Sequence, residues 1–184
     1  MTIFQNLKWL LLGLGFALSS CTSLPDGITP ISGFQSEKYL GTWYEVARLD
    51  HSFERGLSDV TATYNRREDG GIEVINRGFK GKSDDWKEAN GKAYFVGDSD
   101  VGHLKVSFFG PFYGSYVIFD LDDDYRHAFI AGNSRKNLWL LSRTPGVSDA
   151  LKAEFLEKID ELGFDREELI WVSQERNMPR AVRE

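Results

Sequence analysis

The chain has one cysteine, Cys21, among 184 residues. A domain folded downstream of it has no disulfide to staple it, so its stability must come from a buried core, and no thiol there acts as nucleophile or metal ligand. Histidine is nearly as scarce. His51, His103 and His127 are scattered without helical or zinc-type spacing and read as surface or strand histidines, with no metal site. No serine sits in a glycine-X-serine-X-glycine elbow, and Gly70, Gly71 and Gly78 do not make a phosphate loop. Asp122-Asp123-Asp124 lacks the spaced oxygens and closing glutamate of a calcium loop and reads as an acidic turn. No catalytic residue and no cofactor is therefore assigned. Basic residues are outnumbered, 22 Lys and Arg against 28 Asp and Glu, a net charge of −6. A nucleic acid would find no basic stripe.

Only one long apolar run exists, Trp9 to Leu18, preceded by Lys8. It falls short of the ~20 apolar residues of a membrane-spanning helix and fits the centre of a secretory signal peptide. Leu18-Ser19-Ser20-Cys21 follows, an aliphatic residue, two small ones and the lone cysteine. That order resembles the bacterial lipobox, which implies cleavage before Cys21 and acylation of its thiol and new amine. Several acyl chains at ~0.8 kcal/mol per buried methylene exceed what stable attachment needs. Thr22 rather than Asp follows the cysteine, which by the sorting rule of such lipoproteins implies the outer membrane. Residues 1–20 are thus expected to be a signal peptide and 21–32, with Pro25, Gly27 and Pro30, a lipidated tether. Residues 33–174 form one domain, and 175–184 a polar, mobile tail.

The domain reads as short strands separated by turn signals, at about 42–49, 58–65, 71–79, 87–97, 102–109, 114–121, 126–132 and 137–142. Turns fall at Asp69-Gly70-Gly71, Gly97-Asp98, Gly110-Pro111 and Gly132-Asn133. Val60, Ala62 and Tyr64 alternate with polar residues, as do Leu104, Val106 and Phe108, the period of a strand with one buried face. Period alone leaves barrel and sandwich open. Ser148 then caps a helix with Leu151, Phe155, Ile159 and Leu162 on one face and Gly163 at its end.

Gly41-Thr42-Trp43-Tyr44-Glu45 at the first strand and Trp139-Leu140-Leu141-Ser142-Arg143-Thr144-Pro145 at the last, before a helix, resemble the lipocalin family from Gly33 to about Val172. Phe53-Glu54-Arg55-Gly56-Leu57, Val60-Thr61-Ala62-Thr63-Tyr64 and Phe108-Phe109-Gly110-Pro111-Phe112-Tyr113-Gly114 are similar to its bacterial, outer-membrane lipoprotein branch. The resemblance implies an all-β fold: an eight-stranded antiparallel up-and-down barrel with one C-terminal α-helix packed outside. Such a barrel has room for one small ligand.

In that topology Trp43 and Arg143 meet at one end of adjacent strands, and in the family this pair closes the barrel floor. Loops 50–57, 80–86, 109–114 and 133–136 gather at the other end with Phe53, Trp86, Phe109, Phe112 and Tyr113, a greasy mouth. Strand parity places Ile72, Val74, Asn76, Gly78 and Lys80 on one inward face. Resemblance to apolipoprotein D, a relative of the bacterial branch, implies pocket contacts near Asn76, Phe108, Tyr116 and Trp139. The expected ligand-binding set is Asn76, Lys80, Phe108, Tyr113, Tyr116 and Trp139. The expected ligand is a fatty acid or lysophospholipid, and the membrane partner is reached through the anchor. Association of two barrels as a homodimer stays open. The alternatives are a lipocalin-fold enzyme acting on a bound lipid or isoprenoid, and a structural envelope lipoprotein with a filled barrel.

Overall fold

The computed structural model describes residues 22–178; residues 1–21, with the expected signal peptide and Cys21, and residues 179–184 lie outside the described residues. After a single-turn helix α1 (Ser36–Tyr39) come eight strands: β1 (Gly41–Leu49), β2 (Leu57–Arg66), β3 (Ile72–Lys80), β4 (Asp85–Phe95), β5 (His103–Ser107), β6 (Gly114–Leu121), β7 (His127–Ala131) and β8 (Leu138–Ser142). Each pairs antiparallel with the next, and β1 pairs with both β2 and β8. The sheet therefore closes into a barrel, and the sandwich is excluded. A ninth strand, β9 (Leu169–Trp171), adds to the upper half of β1.

Alternation divides the apolar residues between two cores. Trp43, Ala62, Tyr64, Ile72, Val74, Leu104, Ile118, Ile130 and Leu141 point inward. Val46, Ala47, Leu49, Val117, Phe129, Leu138 and Leu140 point outward and are covered by helix α2 (Asp149–Glu161). Ser148 Oγ accepts from Leu151 N at 3.2 Å, and Gly163 leaves the helix at φ +71°. Phe155 and Ile159 are fully buried on the outer wall, each contributing about 1.5–3 kcal/mol.

Three strands carry bulges, and the one in β1 matters most. Glu45 stands opposite Leu141 and Arg48 opposite Trp139, so the extra residue lets Glu45 and Arg48, three apart, both face the interior.

The floor is closed as expected. The Arg143 guanidinium lies 3.9 Å from the Trp43 ring centroid and donates to the carbonyls of Lys38 (2.8 Å), Leu40 (2.9 Å), Thr42 (3.0 Å) and Tyr125 (3.3 Å). Trp43 Nε1 donates to Tyr39 O at 2.8 Å. Gly41 has φ +92°, and a Cβ there would sit 3.4 Å from Arg143 Nη1, so this corner favours glycine.

Two expectations are corrected. The segment after Thr22 is not a loose tether but a strap on the outer wall. Pro25 and Ile28 are buried. Asp26 O accepts from Arg135 (2.6 Å), Ile31 N donates to Ile118 O (2.9 Å), and Ser32 bridges Val101. Likewise residues 175–178, the described part of the expected tail, are held. Gln174 Nε2 donates to Glu45 O (2.7 Å) and Val60 O (2.9 Å), while Arg176 N (2.6 Å, to Oδ1) and Asn177 Nδ2 (3.1 Å, to the carbonyl) grip Asp59. Both segments satisfy strand-end groups that would otherwise be buried unpaired.

Candidate ligand-binding cavity

The lower barrel is filled by Phe34, Tyr39, Trp43, Tyr125 and Ile130. Above this packing an inner chamber of about 90 Å³ is bounded by Ala62, Tyr64, Val74, Ala93, Tyr116 and Trp139. Toward the open end lies a larger chamber of about 510 Å³, bounded by Leu57, Val60, Gly78, Lys87, Ala89, Phe109 and Phe112. Phe53, Glu54, Asn76, Val106 and Phe108 belong to both. The space exists because inward positions of β3 and β4 carry small side chains. Ala89 stands opposite Asn76, Gly91 opposite Val74 and Ala93 opposite Ile72. Phe108 lies over Gly91, where a Cβ would meet its ring at 2.8 Å. At the mouth Phe53, Phe109 and Phe112 remain 61%, 80% and 78% exposed, an apolar rim that water alone does not favour.

Polar groups are few and grouped. Three phenols join at the inner chamber: Tyr116 is hydrogen-bonded to Tyr39 (2.7 Å) and Tyr64 (2.8 Å). Burial pushes all three pKa values up, so they are neutral donors and acceptors. Beside them Arg48 Nη1 donates to Glu45 Oε1 at 2.5 Å, and its Nη2 donates to the carbonyls of Glu54 (3.0 Å) and Leu57 (3.1 Å). Trp139 Nε1 donates to Glu54 Oε2 at 3.1 Å, and His51 Nε2 approaches the same oxygen at 3.1 Å. Burial raises the Glu45 pKa well above the carboxylate range, with Glu54 adding to the rise and Arg48 opposing it. Burial also raises Glu54, against the Trp139 hydrogen bond. Burial, followed by the Arg48 charge, lowers His51 to about 4. Arg48 thus ties the β1–β2 loop to the barrel wall. Among the described residues no group of three or more His, Cys, Asp or Glu could hold a metal.

Of the residues expected at the site, Asn76, Phe108, Tyr116 and Trp139 meet at the chambers. Lys80 and Tyr113 do not. Lys80 is exposed at the end of β3, opposite Asp85. Lys87 borders the outer chamber, where its partner Gly78 leaves room beside it; its ammonium is paired with Asp85 at 2.6 Å, and Arg77 borders the same chamber. Tyr113 lies outside, 5.4 Å from Lys105 Nζ and 6.4 Å from the Tyr94 ring. Trp86 also faces outward, beneath the Arg77 guanidinium at 3.6 Å, and is no part of the mouth. His51, read as a surface or strand histidine, lies in the β1–β2 loop and is 8% exposed. The group Glu45, Arg48, His51 and Glu54 was missed. Glu45 shares the parity of Trp43 and was legible; Arg48 is inward only because of the bulge.

A closed up-and-down barrel with a stacked tryptophan–arginine floor, an outer helix and an apolar interior opening at one end defines a lipocalin. The sequence pattern of the Lipocalin-like domain matches residues 34–174. Outer membrane lipoprotein Blc of Vibrio cholerae is 57% identical over 159 residues, covering 86% of this chain and 93% of that one. Mouse apolipoprotein D is 30% identical over 128 residues, 70% of this chain and 64% of that one. The crystal structure of the cockroach allergen Per a 4 shares the fold at a TM-score of 0.64 and 22% identity, over 83% of this chain and 95% of that chain. The chain belongs to the lipocalin family. Within it, the chain is of the bacterial outer-membrane lipoprotein kind. Lipocalins are in general binding proteins rather than enzymes.

Proposed function

We propose that the protein binds single-chain lipids, fatty acids or lysophospholipids, in the barrel and stores or carries them in the cell envelope, anchored through acylated Cys21. One observation carries this reading: an apolar space of about 510 Å³, rimmed by exposed phenylalanines, narrows to an inner chamber of about 90 Å³. The outer volume lies in the range of small-molecule sites, and the taper suits a chain whose end enters first. Asn76 Oδ1 is buried without a partner at the junction of the chambers, a position for a ligand's hydroxyl or ester environment bridged by water. Lys87 meets a head group at the rim. Lys80 and Tyr113 are not carried forward as ligand contacts. A filled structural barrel is disfavoured by these chambers.

The paired carboxyls Glu45 and Glu54, with raised pKa values, are what an acid–base site would use. Arg48 and Trp139 already engage them, and this favours a structural part in holding the mouth loop. The test is titration with fatty acids and lysophosphatidylethanolamines of increasing chain length, read by quenching of Trp139 and by product analysis. Affinity should gain up to ~0.8 kcal/mol per methylene until the cavity is full, with ligand recovered unchanged. Affinity independent of chain length would sink the lipid reading, and turnover would replace binding by catalysis. Cys21→Ser should abolish outer-membrane fractionation; unchanged partition of a cleaved, non-acylated variant would remove Cys21 as the anchor.

A further inference from the structure

We propose that the β4–β6 wall of the barrel lies against the phospholipid leaflet that holds the anchor, so that the mouth opens into lipid rather than water. This inference rests on the acylation of Cys21. The strap fixes where that anchor emerges. The His103 ring on the outer face of β5 is hydrogen-bonded to the backbone of Thr22, one residue after Cys21, and the strap is pinned from Pro25 to Ser32. The acyl chains therefore leave from the side of the barrel, with no free linker to hold it away.

The same wall is apolar at both ends. Among the described residues seven large hydrophobics are exposed. Val96 follows β4 at its floor end, Leu24 is exposed on the strap two residues after Thr22, and Phe109 and Phe112 project from the β5–β6 loop at the mouth end. His103 and Phe109 are six residues apart, about 20 Å along an extended strand. Both ends reach one plane when the barrel lies on this wall. Between them the outward side chains include Lys92, Lys105, Tyr113 and Tyr94, with Lys105 over the Tyr113 ring and the Tyr94 hydroxyl donating to Asp69 at 2.9 Å. Tyrosine and lysine are the residues that settle at head-group level, the cations toward anionic lipid. A bilayer leaflet matches all three features: anchor, apolar ends and aromatic–cationic middle. In this pose a single-chain lipid passes from leaflet to cavity past Phe109 and Phe112, with its chain screened from water throughout.

The acylated full-length protein, reconstituted on phosphatidylethanolamine–phosphatidylglycerol vesicles, tests the pose. Cys21 is capped by its lipid, so Phe112→Cys gives a single site for an environment-sensitive fluorophore. Asn65→Cys on β2, across the barrel, is the control. The label at 112 should shift to the blue and be quenched by shallow nitroxide lipids, while that at 65 should not. Equal, water-like spectra at both sites on vesicle-bound protein would overturn the pose. Shielding at 112 that appears only at high protein-to-lipid ratio would assign the surface to a second copy and overturn it too. If the protein fails to float with vesicles, the anchor at Cys21 is wrong and the pose falls with it. Lys105→Glu, outside the cavity, should leave affinity for monomeric lysophospholipid unchanged and slow uptake from anionic vesicles about fivefold. Unchanged uptake would count against the wall.

Discussion

Arg143→Ala separates the floor from the cavity. The side chain loses a cation–π contact of about 0.5–2 kcal/mol and four charge-assisted hydrogen bonds to carbonyls. Water can replace it at the exposed carbonyls of Lys38 and Thr42, but less well at Leu40 and Tyr125, where the bonds are partly buried. Counting only those two, at about 1.5 kcal/mol each, with the stack gives a loss of about 4 kcal/mol. For a domain of this size that lowers the melting temperature by about 8–16 °C. Arg143→Lys should recover less than half, because an ammonium neither lies flat on the indole nor reaches several carbonyls at once. Neither Trp43 nor Arg143 bounds the chambers, so lipid affinity of the folded protein should stay within twofold of wild type. Thermal unfolding followed by far-ultraviolet circular dichroism, with lipid titration well below the transition, makes the measurement. A drop under about 3 °C would refute the energetic account. Lost affinity at unchanged melting temperature would place the pair in the ligand site instead.

Ala89→Trp fills the outer chamber opposite Asn76. Because that chamber is open to solvent, stability should change by no more than about 1 kcal/mol, while affinity for long-chain lipid falls at least about tenfold; isothermal titration reads both chain lengths. Lys87→Ala should weaken anionic lipids by at most about 1 kcal/mol, and Lys80→Ala should change nothing, since only the first lies at the rim. His51 titrates near 6.5 in the unfolded chain and about 4 in the folded one. Between those values the unfolded state takes up the proton, so stability falls as pH drops, by at most about 1.4 kcal/mol per pH unit. The raised Glu45 and Glu54 act oppositely, gaining stability on protonation. Urea unfolding of wild type against His51→Gln isolates the histidine, whose share is absent if the difference between them is flat from pH 7 to 4.

Period and punctuation were enough to delimit all eight barrel strands and the Ser148-capped helix. These depend on neighbours in sequence: alternation, turn residues, caps. The Trp43–Arg143 contact was legible because the order of strands in an up-and-down barrel fixes which ends meet. Asn76, Phe108, Tyr116 and Trp139, whose parity is undisturbed, border the chambers. Lys80 and Tyr113 lie away from them, and register is the reason for Lys80. Lys80 and Lys87 both lie on inward parity, and only the pairing of Gly78 with Lys87 decides which reaches the chamber. Arg48 faces the interior because one extra residue in β1 shifts the alternation. The buried loop of His51 and Glu54 follows from that arginine. The strap, too, was written as linker composition, yet its few apolar residues find a groove that exists only once β5, β6 and β7 stand side by side. Local pattern determines which segments are strands; closure, register and bulges, which join residues far apart in the chain, decide which side chains share the cavity.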